Sequence, residues 1–145
     1  MGATHFSGPV ALGTGYMSLS SDASDPFSIK GARTLSAAES NGRHYILDGG
    51  TGYGITLPVP TKGWRCKFTI GAVFSTDFVF TAGTADTFEG CIIEAGVVQD
   101  VDAADIITVE DGTENIGDFY EFWSDGTSTF VFGNTLTAAS VTPTG

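Results

Sequence analysis

Acidic side chains are the most numerous candidates for chemistry in this chain, and several of them crowd one short stretch. They are Asp100, Asp102, Asp105, Glu110 and Asp111. Closely spaced carboxylates offer the hard oxygen ligands that calcium prefers. The run lacks the glycine and the terminal glutamate of an EF-hand loop, so we expect a solvated acidic loop. Calcium binding at Asp100, Asp102 and Asp105 is the alternative.

The other residue types that could support catalysis lack partners at a useful spacing. His5 and His44 stand far apart, and no Gly-x-Ser-x-Gly elbow marks a serine nucleophile. The chain has no phosphate-binding loop, dinucleotide fingerprint or zinc spacing. Carboxylates for glycoside hydrolysis are available, but nothing singles out a pair. We therefore predict that the protein is not an enzyme and has no cofactor and no catalytic metal.

Two cysteines, Cys66 and Cys91, lie in apolar contexts that resemble strands and have no metal-ligand spacing. We expect both to be buried free thiols that pack as small hydrophobic side chains. A disulfide between neighbouring strands is the alternative, although it is less expected in a protein made in the cytoplasm.

The distribution of charge excludes whole classes of ligand. No Lys or Arg follows Lys67, whereas residues 68–145 contain thirteen Asp and Glu residues, so that half carries a formal charge of −13. Such a surface cannot neutralise phosphates, which argues against nucleic acid, and anionic membranes are disfavoured for the same reason. The partner must instead be recognised by shape and apolar contact.

Composition also favours assembly. Charged residues make up 16 % of the chain, against about a quarter in ordinary soluble domains. A small domain that is this apolar often hides surface against another subunit, so we predict a homo-oligomer. The chain begins without the pattern of a secretory signal, and no stretch approaches the roughly 20 apolar residues of a membrane helix.

Residues 1–42 differ from the rest of the chain. They are rich in Gly, Ala and Ser, contain few large apolar residues and show no sustained alternation. Such a segment cannot bury much surface by itself. We therefore divide the chain into an extended N-terminal arm and linker, residues 1–42, and a β domain, residues 43–145. Within the arm, Ser36 and Glu39 have the spacing of a capping box for one or two helical turns.

The β domain is predicted from alternating apolar residues separated by turn signals. The predicted strands lie near residues 43–47, 53–57, 64–70, 78–81, 88–94 and 105–110. This pattern is typical of an all-β fold, an antiparallel β-sandwich or barrel of the jelly-roll kind, preceded by the arm.

Asp125-Gly126 predicts a two-residue type I′ hairpin turn near the end of the chain. That turn would place Ser124 opposite Thr127 and Phe122 opposite Thr129. Aromatic residues then appear on both faces of the hairpin, whereas a solvent-facing sheet keeps one face polar. One face should therefore contact the core, and the other should contact a second sheet or another subunit.

Two segments resemble small structural proteins of tailed bacteriophages. The segment Thr4-His5-Phe6-Ser7-Gly8-Pro9-Val10 resembles the opening of small virion proteins in which a short arm precedes a β domain. Residues 45–48, Ile55-Thr56-Leu57-Pro58, Gly63 and the alternating residues 64–70 resemble the β-module of capsid decoration and fibre proteins. In that module, the Ile-Thr-Leu-Pro strand and the next strand are neighbours in an antiparallel sheet.

The resemblance implies a capsid decoration, or cement, protein that binds the major capsid protein on the head exterior as a homotrimer. It would clamp neighbouring capsomers, with residues 1–20 as the gripping element. A tail or fibre component, or a receptor- or carbohydrate-binding β module that uses exposed Trp64, Tyr53 or Trp123, is the alternative. The residues that we predict to contact the capsid or another subunit are His5, Phe6, Val10, Leu12, Tyr16, Arg33, Arg43, Trp64 and Arg65.

Overall fold

Buried and exposed side chains alternate along most strands, and this alternation produces a β-sandwich. The computed structural model describes residues 11–12, 15–16, 27–85 and 87–145. Elements are numbered in chain order. The large sheet has seven strands, in spatial order β10 (Val97–Ala104), β9 (Phe88–Glu94), β13 (Thr129–Thr135), β12 (Phe119–Ser124), β7 (Arg65–Ile70), β5 (Arg43–Leu47) and β3 (Phe27–Ile29).

The small sheet has five strands, in spatial order β14 (Val141–Thr144), β11 (Ile106–Val109), β8 (Phe78–Thr81), β6 (Gly54–Thr56) and β4 (Arg33–Thr34). A separate pair is formed by β1 (Ala11–Leu12) and β2 (Gly15–Tyr16). The helix described is α1 (Ala37–Ser40), which is far too short to cross a membrane.

The chain from β3 to β8 winds back and forth between the two sheets. β3, β5 and β7 are parallel neighbours in the large sheet, and β4, β6 and β8 are parallel neighbours in the small sheet. Each consecutive pair of strands therefore makes one coil, and three coils stack. The remaining strands close the sandwich in mixed directions: β9 runs parallel to β13, while β12 is antiparallel to both β7 and β13.

The core between the sheets is built largely of aromatic rings. Phe80, from the small sheet, lies with its ring centroid 5.0 Å from those of Phe68 and Phe122 and 5.3 Å from that of Tyr120, all from the large sheet. All four side chains are almost completely buried. Burying one such ring contributes about 2–3 kcal/mol, so these contacts explain why the two sheets stay together.

The all-β sandwich predicted from the sequence is confirmed, and the strands over 43–47, 64–70, 78–81 and 88–94 lie where the alternation placed them. The capping box is also present, because Ser36 Oγ accepts a hydrogen bond from the Glu39 N–H at 3.3 Å. The sheets are mixed, however, and not purely antiparallel, because the windings from β3 to β8 make parallel neighbours in each sheet and β9 is parallel to β13.

The hairpin keeps the predicted faces but has a different register. Ser124 pairs with Thr129 and Phe122 with Val131, so the loop contains four residues instead of two. The type I′ prediction is wrong because Asp125 does not have the positive φ that this turn requires. Instead, the Asp125 side chain accepts hydrogen bonds from the N–H groups of Thr127 at 2.7 Å and Ser128 at 3.0 Å.

Three further features differ from the sequence-based expectations. β6 and β7 belong to different sheets, so the neighbouring pair implied by the resemblance is not formed. The predicted acidic loop is largely strand, since β10 includes Asp100 and Asp102. Residues 27–42 belong to the sandwich, to which they contribute two strands and the buried side chain of Leu35, so the sheets begin before the predicted boundary after residue 42.

Candidate interaction surface

The most distinctive surface is the side of the large sheet that faces away from the small sheet, here called the outer face. Alternate residues of each strand point to it while their neighbours fill the core. The outer face consists of His44 and Ile46 from β5, Arg65, Lys67 and Thr69 from β7, Phe119, Glu121 and Trp123 from β12, Phe130, Phe132 and Asn134 from β13, Glu89, Cys91 and Ile93 from β9, and Val98 and Asp100 from β10.

Four aromatic side chains occupy the middle of the outer face. Trp123 is 43 % exposed and stacks on Phe130, with 5.9 Å between ring centroids and 26° between ring planes. Phe119 and Phe132 form a second pair at 6.3 Å. We call these four residues the aromatic strip. β12 and β13 are inner strands of the large sheet, so the strip lies away from the sheet edges.

Basic side chains lie on one side of the aromatic strip. Lys67 forms an ion pair with Glu121 at 3.0 Å, and its Nζ lies 4.4 Å from the centroid of the Phe119 ring. His44 Nε2 is 2.8 Å from Thr69 Oγ1. The Arg65 guanidinium is exposed and forms no hydrogen bond or ion pair with any described residue. Arg65 is therefore available to a partner.

These groups surround a groove of about 530 Å³ at this side of the outer face. Its lining includes Arg43, His44, Arg65, Lys67, Glu121 and Trp123. Three of the six Lys and Arg residues of the chain thus converge on one site of a protein with a net charge of −11. The groove can accept an anionic group next to an aromatic ring.

The predicted contact residues of the arm fall mostly outside the described residues. This holds for His5, Phe6 and Val10. Leu12 and Tyr16 lie in β1 and β2, whose backbones pair Leu12 with Gly15 and Ala11 with Tyr16.

The predicted contact residues of the sandwich are divided between several places. Arg43 and Arg65 meet at the groove. Arg43 also lies over the Phe27 ring at 4.0 Å. Arg33 lies on β4 of the small sheet and pairs with Glu39 at 3.1 Å. Arg33 and Arg43 both line a second cavity of about 130 Å³.

Trp64 does not form part of any surface site. It is 2 % exposed, and its Nε1–H donates a hydrogen bond to Ser40 Oγ at 3.0 Å. The prediction that Trp64 contacts a partner or a sugar is therefore wrong, because the alternation that begins β7 directs this side chain into the core. Tyr53 is half-buried, and its hydroxyl donates to the Ile29 carbonyl oxygen, so Trp123 is the most exposed of the three aromatic residues proposed for sugar binding.

The sequence analysis named Trp123 for sugar binding, but it did not select as contact residues the other members of the aromatic strip or their charged neighbours, Lys67 and Glu121. The signal was present in part, since both faces of the β12–β13 hairpin carry aromatic residues. What the sequence did not reveal is that β7 borders β12 and places Arg65 directly opposite Trp123.

Other candidate chemistry is not supported within the described part of the chain. No three His, Cys, Asp or Glu side chains there are grouped to hold a metal ion. Cys66 and Cys91 are free thiols. Burial raises the pKa of Cys66 to about 12, so this thiol remains protonated and unreactive near neutral pH.

Comparison of the chain with protein-family models, with curated proteins and with solved structures finds no match.

Proposed function

We propose that the protein is a structural virion protein that binds the outside of a phage capsid and stabilises the lattice between capsomers. The observation that carries the proposal is the outer face, where an aromatic strip that includes the 43 % exposed Trp123 lies beside Arg65, whose guanidinium has no partner among the described residues. The resemblance of residues 4–10 and 45–70 to phage virion proteins favours a virion as the assembly to which the protein belongs. The expected contact with the capsid is the arm, through Phe6, Val10, Leu12 and Tyr16.

The residue types on the outer face suit a protein interface. Trp, Tyr and Arg dominate binding energy at protein interfaces, usually from a central patch that excludes water. Trp123 and Arg65 are adjacent across β12 and β7, and Phe130 supports the indole ring from the other side. A rigid aromatic platform with a cation beside it loses little side-chain entropy when a partner covers it.

The proposed mechanism is mass action. A protein that binds the assembled lattice, and not its separated subunits, stabilises that lattice by its binding free energy. Clamping between capsomers requires at least two attachment points, and the arms of the subunits in a homo-oligomer would provide them. The acid-only half of the chain would then keep neighbouring particles apart through charge repulsion.

Cosedimentation with purified, expanded empty capsids tests the proposal. We expect the full chain to saturate the capsids at a fixed stoichiometry. Replacing Phe6 and Val10 together by Ala should abolish attachment while leaving the thermal melt unchanged. Val73→Ala is the matched control, because Val73 is an exposed apolar side chain, 51 % accessible, in the β7–β8 connection. Failure of the intact chain to bind any capsid would reject the proposal.

Carbohydrate binding is the second candidate, and the groove beside Trp123 favours it. Exposed aromatic rings flanked by polar side chains are suited to sugars, and here the ring lies beside Arg65 and His44. This function predicts a hit on a glycan array that Trp123→Ala abolishes and Leu136→Ala preserves. Leu136 is 70 % exposed and lies just beyond β13. An array without hits would remove this candidate.

A further inference from the structure

We infer that the outer face binds the outer face of a second copy of this chain, around a two-fold axis that runs parallel to the strands between β12 and β13. The inference shares with the proposed function the premise that protein covers this face. It assigns the face to contact between subunits, leaves contact with the capsid to the arm, and does not require a virion. The observation that carries it is the order in which charged and aromatic side chains cross the large sheet.

Strand register places outer-face residues in rows across the sheet. One row contains Arg65, Trp123, Phe130 and Glu89, on β7, β12, β13 and β9 in that order. The next row contains His44, Lys67, Glu121, Phe132, Cys91 and Asp100, from β5 to β10. Both rows have a basic group at one end, aromatic side chains near the middle and a carboxylate at the other end.

This order is complementary to itself. Consider a two-fold axis that runs along the strands between β12 and β13. Each residue then lies opposite the partner's residue from the same row at the same distance on the other side of the axis, as in any isologous interface. Arg65 of one copy then faces Glu89 of the other, and Trp123 faces Phe130. In the next row, His44 faces Asp100. Rows with the same charge at both ends would instead have repelled a second copy.

The contact between Arg65 of one copy and Glu89 of the other tolerates the usual angle between packed sheets. Arg65 and Glu89 each lie one and a half strand spacings, about 7 Å, from the axis. A rotation of about 30° between the sheets moves them apart by under about 4 Å, which a long side chain can span. The Glu121–Lys67 ion pair neutralises the remaining charges near the middle.

The area of the outer face is sufficient for a stable dimer. The six strands that form the outer face, at about 4.8 Å spacing, and six residues at about 3.3 Å rise give a flat area of about 570 Å². Side-chain relief brings the accessible area close to the roughly 800 Å² per partner of a standard interface. Trp123 and Val98, which are 43 % and 65 % exposed in the single chain, would become buried.

A charge-swap experiment on the full chain tests this geometry by sedimentation velocity. Wild type should sediment with the mass of two copies at micromolar concentration. Arg65→Glu and Glu89→Arg should each weaken self-association at least about tenfold, because each places like charges opposite one another at both symmetric contacts. An equimolar mixture of the two variants should regain the two-copy mass, since both contacts are then oppositely charged.

Controls make the result specific to the face. Lys62→Glu changes the net charge as Arg65→Glu does, but Lys62 lies outside the rows described above, so this variant should remain dimeric. If a charge variant fails to fold, wild type provides a second readout through Cys91, which lies on the outer face. Alkylation of Cys91 should slow as protein concentration rises through the dimerisation range.

Several outcomes would overturn the inference. These are a single-copy or three-copy mass for wild type, dimers that both charge variants retain, a mixture that does not recover, and a Cys91 alkylation rate that is independent of concentration. A trimer would match the oligomer implied by the phage resemblance and would leave the proposed function standing. Conversely, a dimer that binds no capsid would reject only the proposed function.

Discussion

Tyr120 is buried completely in the aromatic core, and its hydroxyl has no hydrogen-bond partner among the described residues. Burial raises the pKa of Tyr120, and the nearby carboxylates of Asp118, Glu94 and Glu114 raise it further. The phenol is therefore neutral at all ordinary pH values. An unpaired buried hydroxyl costs about 1–3 kcal/mol, so this residue weakens the core that its ring helps to fill.

Replacing Tyr120 by Phe should raise the free energy of unfolding by about 1 kcal/mol, because the ring remains and the unpaired oxygen is removed. Urea denaturation measures the change. Tyr53→Phe is the matched control and should lower stability, because the Tyr53 hydroxyl donates a hydrogen bond to the Ile29 carbonyl oxygen. A loss of stability in Tyr120→Phe would contradict this and would mean that the hydroxyl is hydrogen-bonded in solution.

Among the elements, the loop between β12 and β13 is held in part by the carboxylate of Asp125. Asp125 accepts hydrogen bonds from the N–H groups of Ser128 and Thr127, and these bonds hold the pKa of Asp125 below its ordinary value. A carboxyl group whose pKa is lower in the folded state stabilises that state above its unfolded pKa. The stabilisation is lost as the pH falls through the folded pKa.

Asp125→Ala should therefore lower the melting temperature at pH 7, and the difference from wild type should shrink as the pH falls below about 4. Asp125→Asn is the control for geometry, because its amide oxygen can accept the same hydrogen bonds without the charge. Thermal melts followed by circular dichroism from pH 7 to pH 3 measure both effects. A difference that does not change with pH would argue against the carboxylate as the cause.

The parallel contact between β9 and β13 requires a glycine at position 90. Gly90 has φ of 135°, and a Cβ atom there would lie 2.1 Å from the Val131 carbonyl oxygen. Gly90→Ala should lower the free energy of unfolding by about 3 kcal/mol, the upper end of the range for strained backbone. Gly54→Ala is the control, since the nearest atom to its new Cβ is 3.8 Å away. Equal stability losses in the two variants, measured in urea, would refute this requirement.

The positions of the strands could be predicted from the sequence, but their arrangement in the sheets could not. Alternation identified most strands and the buried face of each, because burial of every second residue is a local property that residues such as Cys66, Phe68 and Ile70 display directly. It could not predict which strands are neighbours. Alternation is the same in parallel and antiparallel pairs, so the winding from β3 to β8 was missed.

The candidate site was only partly predictable for the same reason. Arg43 and Arg65 were selected by their charge in an acidic chain, and both line the groove. Trp64 was misassigned because it was chosen as a large aromatic residue, although it continues the alternation of Cys66 and Phe68, whose side chains face the core. The acidic residues of β10 were taken as a loop because their charges concealed a strand at the sheet edge, where exposed carboxylates are tolerated.

At the scale of the whole molecule, the division of charge along the chain becomes a division in space. All six Lys and Arg residues lie between positions 30 and 67, within the coils from β3 to β7. In the large sheet, the strands at the far side, β9 and β10, carry Glu89, Glu94, Asp100 and Asp102. The large sheet therefore has a basic end and an acidic end, and this polarity underlies the pairing of two copies inferred above.

The order of the strands also determines which parts of the fold can form first during synthesis on the ribosome. The three coils use only residues 27–81, so they can form before the rest of the chain has emerged. Until β12 and β11 are synthesised, however, one edge of β7 and one edge of β8 have no strand to form hydrogen bonds with. A nascent chain paused in this state exposes two unsatisfied strand edges together with Phe68 and Phe80, which is a combination prone to aggregation. We expect a fragment ending at residue 85 to scatter light on release, and pauses in translation near that point to lower the yield of folded protein.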